Sequence, residues 1–242
     1  KHWCTIEVNN IPPETLSELI KISFENNIPI CRGLGSSSTC IVAGLMAANV
    51  LSEANLDKDE ILKLAIELEG HPDNVAPAIY GNMIIAFMED GNLYHESIKV
   101  PEEIRFLAMV PDFELSTEKA RAVLPKQIPH KDGVFNVSRC ALLIAAFTKN
   151  NLDLVKVACK DKFHQDYRSH LINNYDDIVK YSNKLDSLGT FLSGAGPTIM
   201  TIAKDSDDKI LDQMNSYLST LKDKWQILDL HCDPNGAYCR EV

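Results

Sequence analysis

Pro29-Ile-Cys-Arg-Gly-Leu-Gly-Ser-Ser-Ser-Thr39 is the most unusual stretch of the chain. Gly33 and Gly35 open backbone conformations closed to other residues and let a ligand approach closely. Ser36, Ser37 and Ser38 add hydroxyl groups, and a helix of small residues is predicted from about residue 37 to 53. A helix entered this way aims the positive end of its dipole, and its first unpaired N–H groups, at whatever sits in the loop. The stretch reads as a phosphate cradle, with a flexible Gly/Ser turn before a helix as the alternative. Two other phosphate loops fit poorly. A P-loop needs a lysine after its last glycine, and none follows here. A dinucleotide fingerprint needs a third glycine where Ser38 stands.

Outward from the loop, residues 3–8 alternate like a strand, and apolar residues at 16, 19, 20 and 24 predict a helix over 14–26. Asp57, with Glu60 three residues on, predicts the capped start of a helix running to about 69. After the break His71-Pro-Asp-Asn74, strands are expected at 82–88, 93–100 and 105–111. Helices follow near 117–124, 133–148, 152–161 and 175–187, then a strand around Phe191 and a glycine turn at Ser193-Gly-Ala-Gly-Pro197. A strand at 198–203, a helix at 207–221 and a strand at 226–231 complete the pattern. Mixed strands and helices in segregated runs indicate an α+β fold, with a seam near Pro101.

A chain of 242 residues can bury a sizeable core as one large domain or two small ones. Its net charge of −10 argues against non-specific binding to nucleic acid or to an anionic membrane. It leaves room for a phosphate ligand, because backbone N–H groups can hold an anion on an acidic protein. The seven cysteines are scattered and form no CxxC pair, so they read as reduced thiols of a cytoplasmic protein, neither a disulfide framework nor a zinc site. We read no secretory signal, and the longest apolar run, residues 41–48, is far short of the ~20 residues that span a bilayer.

Glu69-Gly-His-Pro-Asp-Asn74 packs two acids, an imidazole and an amide into six residues. Phosphoryl transfer needs oxygen ligands for Mg²⁺ and polar groups to orient the attacking hydroxyl. Glu69 at a helix end and Asp73 in the next turn can supply these; an Asp-Asn helix cap beside an exposed histidine is the alternative. Thr117 and Arg121 stand four apart on one helix face. If Arg121 and the distant Arg168 converge, they make a clamp for a carboxylate; otherwise each is a surface ion-pair residue.

Pro29-x-x-x-Gly33-Leu-Gly35-Ser-Ser-Ser38 resembles the second motif of the GHMP family of small-molecule kinases, whose loop wraps the ATP phosphates, although Thr39 stands where the family usually has alanine. Leu192-Ser-Gly-Ala-Gly-Pro-Thr198 resembles the family's third motif, which lies against that loop through glycines such as Gly194 and Gly196. Within the family, Glu69-Gly-His-Pro-Asp-Asn-Val-Ala-Pro77, Ser116-Thr-x-x-Ala-Arg121 and His164-Gln-x-Tyr-Arg168 are similar to stretches of the homoserine kinases. Two further stretches match, Leu124-Pro-Lys-x-Ile-Pro-His130 and Val134-Phe-Asn-x-Ser-Arg139, and these we assign to packing.

The resemblance implies a two-domain α+β GHMP kinase fold, with an N-terminal S5-like, nucleotide-binding domain over 1–100 and a C-terminal ferredoxin-like domain over 101–242. Family members open with a Pro-x-Ser-x-Asn-Leu-Gly-Pro-Gly-Phe-type segment that has no counterpart here, so the N-terminal domain is expected to be incomplete. Pro29, Arg32, Gly33, Leu34, Gly35, Ser36, Ser37 and Ser38 would bind ATP, and Glu69 with Ser37 would hold Mg²⁺. His71, Asp73, Asn74, Arg121, Arg168 and Gly194 would contact L-homoserine, the two arginines through its carboxylate. Asp73 and Thr117 would sit at the reacting hydroxyl, Asp73 either as base or as an orienting group. The implied reaction is ATP-dependent formation of O-phospho-L-homoserine, a step of threonine biosynthesis, and the family precedent is a homodimer. The alternatives are a GHMP kinase of the mevalonate or sugar type, a truncated non-catalytic ATP-binding member, and a nicotinamide-binding domain resting on Gly33 and Gly35 alone.

Overall fold

The computed structural model describes residues 4–9 and 21–240. They divide into two compact units, one of residues 4–9, 21–29, 35–97 and 233–240, the other of Ile30–Leu34 and Ile98–Cys232. A division of the sequence at residue 100 makes no provision for the short segments 30–34 and 233–242.

In the first unit, β1 (Cys4–Asn9) pairs antiparallel with β2 (Lys21–Asn26), Ile6 opposite Phe24. This corrects the helix expected over 14–26. Residues 10–20 lie outside the described ones, and 21–26 form a strand. Ile22 and Phe24 alternate with Ser23 and Glu25, and this period-two pattern prevails once β1 supplies the partner for its backbone bonds. Helices α1 (Ser36–Leu51), α2 (Lys58–Glu69) and α3 (Val75–Tyr80) pack around Val42, Leu62, Ala65, Val75 and Ile79. The hairpin of β3 (Met83–Glu89) and β4 (Asn92–Ile98) lays Ile84, Ala86 and Leu93 on that core.

The start of α2 is the capping box read from the sequence. The Asp57 carboxylate accepts the Glu60 N–H at 2.9 Å, and the Glu60 carboxylate accepts the Asp57 N–H at 2.9 Å. Helix α3 is not apparent in the sequence because it contains Pro77. Proline is tolerated there because the first helical turn needs no N–H from it.

The second unit is built on a four-stranded antiparallel sheet of order β6-β7-β5-β8, comprising β5 (Ile104–Pro111), β6 (Gly189–Leu192), β7 (Ile199–Lys204) and β8 (Trp225–Leu230). Helices α4 (Thr117–Ala122), α5 (His130–Thr148), α6 (Val155–Ala158), α7 (Gln165–Arg168) and α8 (Tyr175–Lys184) lie between β5 and β6 in sequence. Helix α9 (Asp208–Leu218) joins β7 to β8. The first strand lies between the third and the fourth, which is the β-α-β-β-α-β arrangement of the ferredoxin-like fold. One face of β5 packs Leu107 and Met109 with Ile178, Ile199, Ile210 and Met214. On the other, Ala108, Val110 and Leu228 receive Leu34 from the glycine loop.

The helix expected over 152–161 is shorter, a 3-10 turn at Leu152–Leu154 followed by α6. Asp161 begins the next structure instead, accepting the N–H groups of His164 and Gln165, each at 2.7 Å. Among the described residues, no helix is long and apolar enough to cross a membrane.

Candidate active site

In the first unit, Gly35 takes a left-handed φ of 73° and enters α1 with no side-chain cap and no acidic residue in the first turn. The helix therefore begins with uncapped N–H groups and positive potential. Ser37 is exposed there. Ser36 accepts a bond from the Asn26 amide at 2.9 Å. Ser38 is buried, and its hydroxyl donates to Glu69 Oε1 at 2.8 Å. Glu69 is the last residue of α2, which Gly70 closes at φ 89°, with no basic residue in the last turn. A carboxylate at the negative end of a helix dipole, without a neutralising side chain in that turn, favours a cation.

The chain then turns through His71, whose Nδ1 meets the carboxylate of the exposed Asp73, to Asn74 at the start of α3. A Cβ placed on Gly35 would lie 3.4 Å from the Asn74 side-chain oxygen. The glycine–serine loop and the His-Pro-Asp-Asn turn are thus neighbours through Gly35 with Asn74 and Ser38 with Glu69. Among the described residues, no three His, Cys, Asp or Glu side chains gather as metal ligands. Mg²⁺ does not need three; it commonly takes one or two carboxylates and fills its shell with water and phosphate oxygens. The hard oxygens of Glu69 and Ser37 fit that ion.

The preceding half of the loop, Ile30–Leu34, belongs to the second unit. Gly33, at φ 73°, lies so close to the turn after β6 that a Cβ on it would stand 2.5 Å from Ser193 O and 2.7 Å from Gly196 O. Both neighbours are backbone and cannot swing aside. Gly33→Ala is therefore expected to cost about 1–3 kcal/mol from the left-handed backbone and the contact together. Thermal melting should register this as a drop of several degrees, while alanine at the unobstructed Gly44 leaves no such strain to relieve. Arg32, expected among the ATP ligands, directs its guanidinium to the end of β5, with Nε donating to Pro111 O at 3.0 Å and Nη2 to Asp112 O at 3.1 Å. Pro29 precedes this segment in the first unit.

Also in the second unit, Ser116 caps α4 by accepting the Lys119 N–H at 3.2 Å, which sets Thr117 and Arg121 one turn apart and exposed. Arg168, on α7, donates from Nε to Ala120 O at 3.0 Å and from Nη1 to Gly194 O at 3.0 Å. The bond to Ala120 O sets Arg168 at the residue that precedes Arg121, and burial, then the charge of Arg121, lowers the Arg168 pKa. Two adjacent cations on partly apolar ground favour an anion. Glu69 and Asp73 thus lie on the first unit, Arg121 and Arg168 on the second.

Three supporting residues went unassigned from the sequence. Gln165 accepts bonds from the Leu192 N–H (3.0 Å) and the Tyr175 hydroxyl (2.9 Å), tying α7 to the end of β6. Ser193 donates to Gly33 O at 2.7 Å. His164 Nδ1 lies 3.4 Å from Arg168 Nη1, so it acts as the acceptor and the ring is neutral. Gln165 and His164 stand in the quoted His-Gln-x-Tyr-Arg stretch, which was the available signal.

Burial lowers the His164 pKa from 6.5, opposed by Asp161 and assisted by Arg168. A base with a lowered folded pKa takes up its proton more readily when unfolded. Its contribution to stability is therefore complete above about 6.5 and is lost as pH falls from there through the lower folded value. Denaturant titrations between about pH 7 and pH 5 should show wild type losing more stability than His164→Gln; equal slopes would contradict this.

Comparison with known proteins gives the family. The model described as GHMP kinases N terminal domain matches residues 6–82, and that described as GHMP kinases C terminal matches residues 143–220. A homoserine kinase of Clostridium botulinum Type A is 51% identical over 90% of this chain and 73% of its own length. One from the Eklund 17B strain of the same species is 46% identical over 90% and 74%. The crystal structure of a homoserine kinase from Cytophaga hutchinsonii superposes with a TM-score of 0.83 at 29% identity, covering 92% of this chain and 74% of that one. With both family domains present in order and half the residues shared with such relatives, the chain belongs to the GHMP kinase family.

Proposed function

We propose that the chain transfers the γ-phosphoryl group of ATP to the side-chain hydroxyl of L-homoserine, giving O-phospho-L-homoserine and ADP. The reaction feeds threonine biosynthesis. The observation that carries the substrate is Arg168 anchored on Ala120 O, beside Arg121 on α4, so that two guanidinium groups of the second unit can serve the carboxylate of an amino acid. A sugar offers no such anion, and the homoserine kinase relatives favour the same reading over mevalonate.

ATP phosphates lie along residues 33–38 and take N–H donors from the start of α1. Glu69 and Ser37 would hold Mg²⁺, which would supply neutralisation of the charge on the phosphate oxygens. The homoserine hydroxyl oxygen forms the new bond to the γ-phosphorus as the bond from that phosphorus to the β,γ-bridging oxygen breaks. Asp73, turned by His71, orients the hydroxyl and accepts its proton, with Asn74 assisting. Gly194 contributes backbone at the carboxylate, its carbonyl already fixing Arg168. Phosphorus NMR of a reaction with L-homoserine and Mg²⁺-ATP tests this. A phosphomonoester resonance growing in step with ADP is expected, and hydrolysis of ATP to free phosphate without that resonance would overturn it.

A further inference from the structure

Three of the five residues 31–35 have left-handed backbone, namely Cys31 at φ 56° and Gly33 and Gly35 at 73°. Such a run does not hold its shape unaided, and for a non-glycine residue like Cys31 the conformation is unfavourable. Contacts from far away in sequence must fix it. Arg32 Nε and Nη2 donate to Pro111 O and Asp112 O at 3.0 and 3.1 Å, and Nη1 donates to Ile30 O at 3.1 Å. The Arg32 side chain is only 14% exposed and lies 3.5 Å from the carboxylate of Glu114. On the opposite side, the Ser193 hydroxyl donates to Gly33 O at 2.7 Å, and the Thr198 N–H donates to Arg32 O at 3.3 Å.

We infer that Arg32 and Ser193 form a two-point latch that holds residues 31–33 in the conformation that receives the ATP phosphates. Both are positioning residues: Arg32 fastens the loop to the end of β5, and Ser193 fastens it to the turn after β6. The planar guanidinium suits this work because it reaches three carbonyls at once, which a lysine cannot. The inference rests on the kinase reading only for its effect on ATP; its structural half is independent of any reaction.

The test compares wild type with Arg32→Lys, Ser193→Ala and the double variant. Hydrogen exchange of the 30–38 peptide in the nucleotide-free protein is read beside the KM values for ATP and for homoserine. Each single change is expected to speed exchange of that peptide about tenfold and to raise KM for ATP about tenfold, the equivalent of one lost hydrogen bond of ~1.4 kcal/mol. KM for homoserine should stay within about twofold, and the double variant should fall short of the product of the single effects, because both act on one loop. A raised KM for ATP with unchanged exchange would mean that Arg32 touches the nucleotide directly, and would overturn the latch. Unchanged exchange and unchanged KM in both single variants would overturn it as well. Faster exchange in a protein whose wild type shows no ATP-dependent turnover would support the latch while removing the kinase reading.

Discussion

Glu69→Gln is expected to lower kcat about 10²–10³-fold at saturating ATP and homoserine, the equivalent of ~3–4 kcal/mol of lost charge stabilisation. Only the charge is removed. The glutamine oxygen still accepts from the Ser38 hydroxyl, so α1 and α2 stay joined. The fold should gain if anything, because a negative charge disappears from the C-terminal end of α2, an effect of about 0.3–1 kcal/mol. Activity and stability should therefore move in opposite directions, which simple misfolding cannot produce. Steady-state ADP release across a range of Mg²⁺ concentrations, with a melting curve for each protein, makes the check. A kcat within threefold of wild type would remove Glu69 from the metal site.

Arg168→Ala should act on the other substrate. Losing a partly buried guanidinium that pairs with a carboxylate costs on the order of 2–5 kcal/mol, so KM for homoserine should rise at least ~30-fold while KM for ATP changes little. This variant also leaves Ala120 O and Gly194 O without their donor, and melting should fall by a few degrees. Arg168→Lys separates the two effects, keeping a charge but losing the fork. Discrimination between homoserine and an amino alcohol of similar length without the carboxylate should be large in wild type, intermediate in Arg168→Lys and small in Arg168→Ala. If discrimination survives in Arg168→Ala, the carboxylate is held elsewhere.

Much of this was legible in the sequence because the signals are local. The glycines and serines of 33–38, the Asp57–Glu60 capping box and the alternating strands of the second unit each depend on neighbours a few residues apart. What local spacing does not reveal shares a cause. Residues 21–26 pair with β1, a strand about which the helical spacing at 16, 19 and 20 carries no information. The motif assigns Arg32 to ATP, and local spacing gives no hint of its guanidinium partners 79 and 80 residues away. Arg168 reaches Ala120 across 48 residues, so its nearness to Arg121 was an expectation of family likeness and not of spacing. Gln165 and Ser193 carry no charge and lie inside motifs whose other members drew the assignment.

The most direct test of the central claim is ADP release by this chain with Mg²⁺-ATP and L-homoserine, set beside mevalonate, galactose and L-serine. The account predicts turnover with homoserine that exceeds each of the others by at least ~100-fold in kcat/KM, as expected when a site built to pair a charged group meets substrates that lack it or place it wrongly. Equal or greater turnover with mevalonate or galactose would contradict it.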